Sequence, residues 1–364
     1  MNRRTFLLAV GASACGPTKQ PRPPKRTPLG AGSGSARSTE PGGLIDTQLL
    51  ASQWRASAIA LRGDMLVQAA GGELRIYDAR TLKRTETRDL APRHFCFGRD
   101  GSLFVYSYPS GALQGTLYRI GPSHNLETYG GPVLRPDGYS VLLPGRTAHD
   151  VYVTEMANIV PLSIVDGHVE DGPPLRHPAP NAQNRDQLVA RPDGSIVAPD
   201  REDGLRVITP DGKGTSYPMK GREPRHIVGA SGDRVWYSHA PGKHFEVTSL
   251  YLAKIATPLE AEHTIDVSPH RIIHLAAGGG AAAALAVHVR PTGDRGPEDL
   301  DIRWAVIVIG EDGAERWRAE IPAAFAPGMA LITGFVAIDD KHVVLERHDH
   351  SLLGWDAATG RPIA

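Results

Sequence analysis

The chain has 364 residues, a formal charge of zero, 41% hydrophobic residues and 6% aromatics. Gly (40) and Pro (30) are abundant, which suits a fold with many tight turns better than one of long helices. The first 43 residues carry an excess of Lys and Arg, so the remainder is mildly acidic, and an acidic body excludes nucleic acid as a partner class.

The N-terminus reads as an address. Arg3-Arg4 precedes an apolar stretch from Phe6 to Ala14, too short to span a bilayer. The run Arg3-Arg4-Thr5-Phe6-Leu7 resembles a twin-arginine export signal. Ala12-Ser13-Ala14-Cys15 resembles a bacterial lipobox, with Ala12 where Leu is usual. The resemblance implies a signal peptide over 1–14 and lipid attachment at Cys15. The other reading is a plain cleaved signal with Cys15 unmodified. Residues 15–43 are rich in Pro, then in Gly and Ser, without apolar periodicity. They are expected to be a disordered tether spanning roughly 30 Å. The protein is thus expected to be exported and membrane-anchored by its N-terminal lipid only, facing the periplasm or the cell surface.

From residue 44 to 364 no amphipathic helix is evident. Short apolar runs recur, separated by Gly/Asp turns that supply the positive φ of tight hairpins. The marks are Arg62-Gly63-Asp64, Arg99-Asp100-Gly101, Pro136-Asp137-Gly138, Pro192-Asp193-Gly194, Ser231-Gly232-Asp233, Gly278-Gly279-Gly280 and Asp339-Asp340. A period of about 40 to 50 residues with strand content only predicts an all-β fold, a β-propeller of seven four-stranded blades. Residues 154–186 and 288–301 read as polar insertions on one face. Alternating third strands are expected at Leu74–Asp78, Leu117–Ile120 and Leu205–Ile208. The run Leu44 to Leu50 is expected to pair with the last blade and close the ring.

Leu352-Leu353-Gly354-Trp355-Asp356-Ala357-Ala358-Thr359-Gly360 resembles the pyrroloquinoline-quinone-type propeller repeat, in which an apolar strand ends in Asp-x-x-Thr-Gly. The sharp motif covers the last blade only. The resemblance implies fold and not activity. The vicinal cysteines and the repeating Trp docking motif of quinone dehydrogenases are missing, so no cofactor is expected.

No catalytic motif of the hydrolase, zincin, P-loop or dinucleotide-binding type occurs, and no catalytic residue or metal ligand is assigned. The recurrent polar feature is a basic pair before the innermost strand of several blades: Arg93-His94, Arg185, Arg225-His226 and His270-Arg271. Brought together at a channel mouth, these would attract an anionic small molecule. Left apart, they are solvated turn residues of the repeat. His348 and His350 could share a strand face, but two ligands do not make a metal site. The Asp200–Asp203 cluster reads as a solvated turn with Ca²⁺ binding as the alternative. Cys96, inside His94-Phe95-Cys96-Phe97, reads as a buried inert thiol. The expected function is a non-enzymatic binding or scaffold lipoprotein of the cell envelope with protein partners. The alternatives are a metal-dependent propeller enzyme, a lactonase-like hydrolase or lyase, and a sensor of an anionic small molecule in the channel.

Overall fold

The computed structural model describes residues 59–107, 115–130, 141–155, 158–178, 188–200, 204–219, 226–238, 248–292, 300–321, 335–347 and 349–363. All lie in one compact unit, Glu40–Ala364. The signal, the tether, Cys15 and the expected closing run at 44–50 lie outside the described residues.

Seven antiparallel sheets follow one another along the chain. The first blade is β1 (Ile59–Arg62), β2 (Met65–Ala70), β3 (Glu73–Asp78) and β4 (Lys83–Arg88). The second is β5 (Pro92–Phe97), β6 (Leu103–Ser107), β7 (Thr116–Ile120) and β8 (Leu126–Gly130). The third is β9 (Leu142–Pro144), β10 (Asp150–Glu155), β11 (Asn158–Val165), β12 (His168–Asp171) and β13 (Leu175–Arg176). The fourth is β14 (Val189–Ala190), β15 (Ile196–Asp200), β16 (Gly204–Ile208) and β17 (Gly214–Pro218). The fifth is β18 (His226–Ser231), β19 (Arg234–Ser238), β20 (Ser249–Lys254) and β21 (Ala261–Asp266). The sixth is β22 (Arg271–Gly278), β23 (Ala281–Pro291), β24 (Leu300–Gly310) and β25 (Glu315–Ile321). The seventh is β26 (Phe335–Ile338), β27 (His342–Glu346) and β28 (Leu352–Asp356).

Burial follows position within the blade. Second strands are covered on both faces, as in β6 and β27, where every residue is buried. Outer strands such as β4 and β17 are polar and largely exposed. In the third blade β12 and β13 both pair with β11. They form one outer strand interrupted at Gly172-Pro173-Pro174, where prolines are tolerated because an edge needs no further donors. In the seventh blade Ile363 N–H donates to the Gly354 carbonyl and Asp356 N–H to that of Arg361, so Arg361–Ile363 lies in the outer position.

The core is not central but is divided among the gaps between blades. Seven apolar clusters each join two neighbouring sheets. Val67 and Ile76 meet Leu103 and Val105 between the first and second blades. Ile59 and Leu66 meet Ala337 and Val344 between the first and the seventh. That last cluster closes the series into a ring, and the fold is a seven-bladed β-propeller.

One expectation needs correction, and another falls outside the described residues. Pro136-Asp137-Gly138 lies outside the described residues, and the hairpin between β9 and β10 runs through Gly145–His149. There Asp150 accepts from Thr147 N–H, so the turn is stabilised without an Asp-Gly pair. Among the described residues the two expected insertions are largely strand. Residues 154–186 contain β11 to β13, and 288–301 extend β23 and β24 to eleven residues each.

Candidate functional site

Antiparallel order gives the disc two faces. At the entry face the chain passes into each innermost strand. At the turn face each innermost strand hands over to the second strand. The expected basic positions that the structure describes belong to the entry face. Arg93 is exposed at the start of β5, and His94 beside it is half-buried. Arg185 and Arg225 lie outside the described residues. His226 opens β18, its backbone opposite Ser238. Arg271 opens β22 and is half-buried. His270 has its Nδ1 3.3 Å from Arg318 Nη1, and its ring centre is 5.6 Å from that of His288. Both neighbours belong to its own blade, Arg318 on the outermost strand. Burial, aided by the Arg318 and His288 charges, lowers the His270 pKa.

The entry face also holds a buried polar cluster at the seam of the first and seventh blades. Gln68 Nε2 donates to Glu346 Oε1 at 2.9 Å and to the His350 carbonyl at 3.0 Å. Tyr77 Oη donates to Gln68 Oε1, and His350 Nδ1 lies 2.8 Å from Glu346 Oε1. Gln68 and Glu346 are 0% and 2% exposed. Buried this deeply, each needs the hydrogen bonds it makes to the other and to His350. Glu346 Oε2 has no hydrogen-bond partner among the described residues.

The turn face shows arginines that the sequence reading passed over. Arg62 at the end of β1 donates to the Gly98 and Arg99 carbonyls of the second blade. Arg99 Nε donates at 3.0 Å to the Gly145 carbonyl of the third blade, and its Nη2 reaches the Arg191 carbonyl of the fourth. A side chain that links the second blade to the fourth passes beside the channel axis. Arg191 continues the series, its Nε and Nη2 donating to the Gly232 carbonyl of the fifth blade at 3.0 and 2.8 Å. On the other side His342 Nδ1 lies 3.1 Å from the Gly63 carbonyl, tying the seventh blade to the first. Burial and the Arg62 charge lower the Arg99 pKa. The signal was in the sequence, because Arg62, Arg99 and Arg191 stand directly beside three of the Gly/Asp turn marks.

A lateral cleft of about 480 Å³ lies between the first and second blades, with Met65, Ile76 and Phe97 in its wall and Arg62, Asp64 and His124 at its rim. His124 Nδ1 is 3.1 Å from Glu86 Oε2. Among the described residues no group of three or more His, Cys, Asp or Glu could hold a metal ion. His348, Asp186 and 201–203 lie outside them, and Asp200 Oδ2 accepts from Ser216 Oγ at 2.6 Å. Cys96 is buried, and desolvation drives its thiol pKa far up, which makes it inert.

No family model matches the chain, and no curated protein matches it. Among solved structures it is similar to a streptogramin B lyase, at 14% identity and TM-score 0.48, over 84% of this chain and 91% of that one. It is similar to PorZ, an essential bacterial surface component of the type-IX secretion system of Porphyromonas gingivalis, at 10% identity and TM-score 0.51. That match takes in 84% of this chain and 37% of PorZ. Hsv2p of Kluyveromyces lactis matches at 11% identity and TM-score 0.50, over 82% and 93% of the two chains. The likeness is one of fold alone. A propeller leaves its activity to the residues it carries.

Proposed function

We propose that the chain is a non-enzymatic binding propeller of the cell envelope, tethered by a lipid on Cys15, that engages other envelope proteins through the faces of its disc. The observation that carries this reading is where the displaced pKa values fall. A catalytic site gathers perturbed titratable groups in a cleft. Among the described residues the groups moved furthest are Cys96, Tyr237 and His274, all sealed between blades, and Asp211, in an exposed outer turn with Lys213. The charged groups around the turn-face mouth largely hold turns and blades together. Asp100 and Asp193 accept from Ser102 and Ser195 in their own hairpins, and the arginines donate to carbonyls. Recognition then falls to broad surfaces, which suits a protein partner more than a small substrate.

The test is photo-crosslinking in intact cells from the full chain, with the reactive residue at exposed Arg93 or at exposed Arg146. Discrete crosslinked proteins are expected, and Cys15→Ser should abolish both them and detergent-phase partitioning. Absence of any crosslink from either face, together with stoichiometric divalent metal in protein purified without a tag, would overturn the proposal in favour of a metal-dependent enzyme.

A further inference from the structure

The turn face carries a concentration of positive charge that acids among the described residues do not balance. Arg62, Arg99, Arg146 and Arg191 come from four consecutive blades and the same structural position, the hairpin that leaves the innermost strand. They are close together. Arg62 Nη2 reaches the Arg99 carbonyl, and Arg99 reaches the Arg191 carbonyl and, through Nε, that of Gly145, the residue before Arg146. A Cβ at Gly194 would lie 2.8 Å from Arg146 Cβ, so the third and fourth hairpins touch. Tyr152 Oη donates to the Gly194 carbonyl at 3.1 Å beneath them.

The acids nearby do not neutralise this group. Asp100 is committed to Arg119 at 2.7 Å. Asp64 lies within 4 Å of Arg80 and Lys341. Asp193 is the carboxylate within reach, 3.6 Å from Arg191 Nη1. Arg99 and Arg191 are half-buried, so solvent screens them less than it screens ordinary surface arginines. Arg99 and Arg146 have the most donors to offer a ligand. Arg99 spends its Nε and Nη2 and keeps Nη1, while exposed Arg146 makes no hydrogen bond or ion pair among the described residues. The lowered Arg99 pKa agrees with positive charge crowded where water is partly excluded.

We propose that this mouth of the channel is a binding site for a phosphoryl group, with Arg99 and Arg146 as its direct ligands and Arg62 and Arg191 supplying field and position. Planar guanidinium forks suit a tetrahedral oxyanion, and a dianion matches the excess charge better than one carboxylate does. The site lies at the opposite end of the innermost strands from Arg93, His94 and His270. It holds whether or not the faces of the disc engage a protein.

The experiment is calorimetric titration of the full chain at low ionic strength with inorganic phosphate, glycerol 1-phosphate and acetate. Saturable binding of phosphate or of the monoester is expected, weakening as salt is raised. Tighter binding of the monoester would mark a phosphorylated small molecule as the source of the group, and equal binding would mark free phosphate. Arg146→Gln should weaken binding about tenfold, the loss of one charge-assisted contact, with an unchanged thermal midpoint because Arg146 ties no blades together. Arg303→Gln, at an exposed position of β24 in the sixth blade, should leave binding unchanged. The proposal falls if neither phosphate compound binds, if acetate binds as tightly, or if Arg146→Gln binds like the unaltered protein.

Discussion

His274 shows what the ring does to one side chain. It is 5% exposed, its Nδ1 accepts from Val336 N–H, and Phe335 packs edge-on against its ring. Burial lowers its pKa to about 4. The unfolded chain takes up a proton near pH 6.5, whereas the folded protein does so only near pH 4. The folded pKa is the lower of the two, so the folded state loses stability as pH falls through that interval. The full loss is about 3 kcal/mol. His274→Gln keeps an acceptor for Val336 and removes the titration. Denaturant unfolding at pH 7 and pH 4 should show a smaller loss in this variant, and equal losses would contradict the account. Glu346 poses the opposite problem, a buried carboxylate with one unmet oxygen. Glu346→Ala strips Gln68 and His350 of an acceptor and should cost about 2–4 kcal/mol. Glu346→Gln retains an acceptor without the charge and should cost under about 1 kcal/mol in the same measurement. If the two cost the same, the charge itself is what the seam needs.

Strands converge most closely at the inner edge of each blade, and glycines mark the contacts. A Cβ at Gly229 in β18 would lie 2.3 Å from Ala277 Cβ in β22. One at Gly278, which ends β22, would lie 2.4 Å from the Ile338 carbonyl oxygen in β26. These positions limit how near three successive innermost strands can pack. Gly278→Ala should therefore cost about 1–3 kcal/mol by overpacking. Gly121→Ala, where a Cβ meets nothing within 4 Å, should stay within about 0.5 kcal/mol. Thermal melts of the two variants decide the matter, and equal midpoints would refute it. Hairpins are the elements most visible in the sequence. Asp-Gly at 100–101 and 193–194 places Gly101 and Gly194 at φ +88° and +83°. The hairpin between β9 and β10 escaped the same reading because it has no Asp-Gly pair and rests on Asp150 instead. The arginines of the turn face were visible as residues but not as a group, since only the ring brings them together.

At the scale of the whole molecule, each sheet is covered on both faces only because it has two neighbours. Leu66 belongs to the cluster between the first and seventh blades, and Leu205 to that between the fourth and fifth. Both are 0% exposed. Each change to Ala should cost about 2–5 kcal/mol. Because every blade depends on both neighbours, each variant should keep a single unfolding transition. An early partial transition in Leu66→Ala alone would mean that the seam opens independently and that the ring is less cooperative than its core implies.

The sequence by itself determined the strands, most hairpins and the seven-fold repeat. These follow from local causes, namely apolar runs as long as a buried strand and Gly or Asp where the backbone needs positive φ. It also showed Cys96 as a buried thiol, since its neighbours are apolar. Tertiary structure alone decided what meets across blades. Gln68 and Glu346 are far apart in the chain and touch only when the last sheet returns to the first. Arg62, Arg99, Arg146 and Arg191 are ordinary turn residues until curvature gathers four hairpins at one mouth. Local patterning sets which segments pair within a blade, but closure of the ring sets which charges share a low-dielectric space.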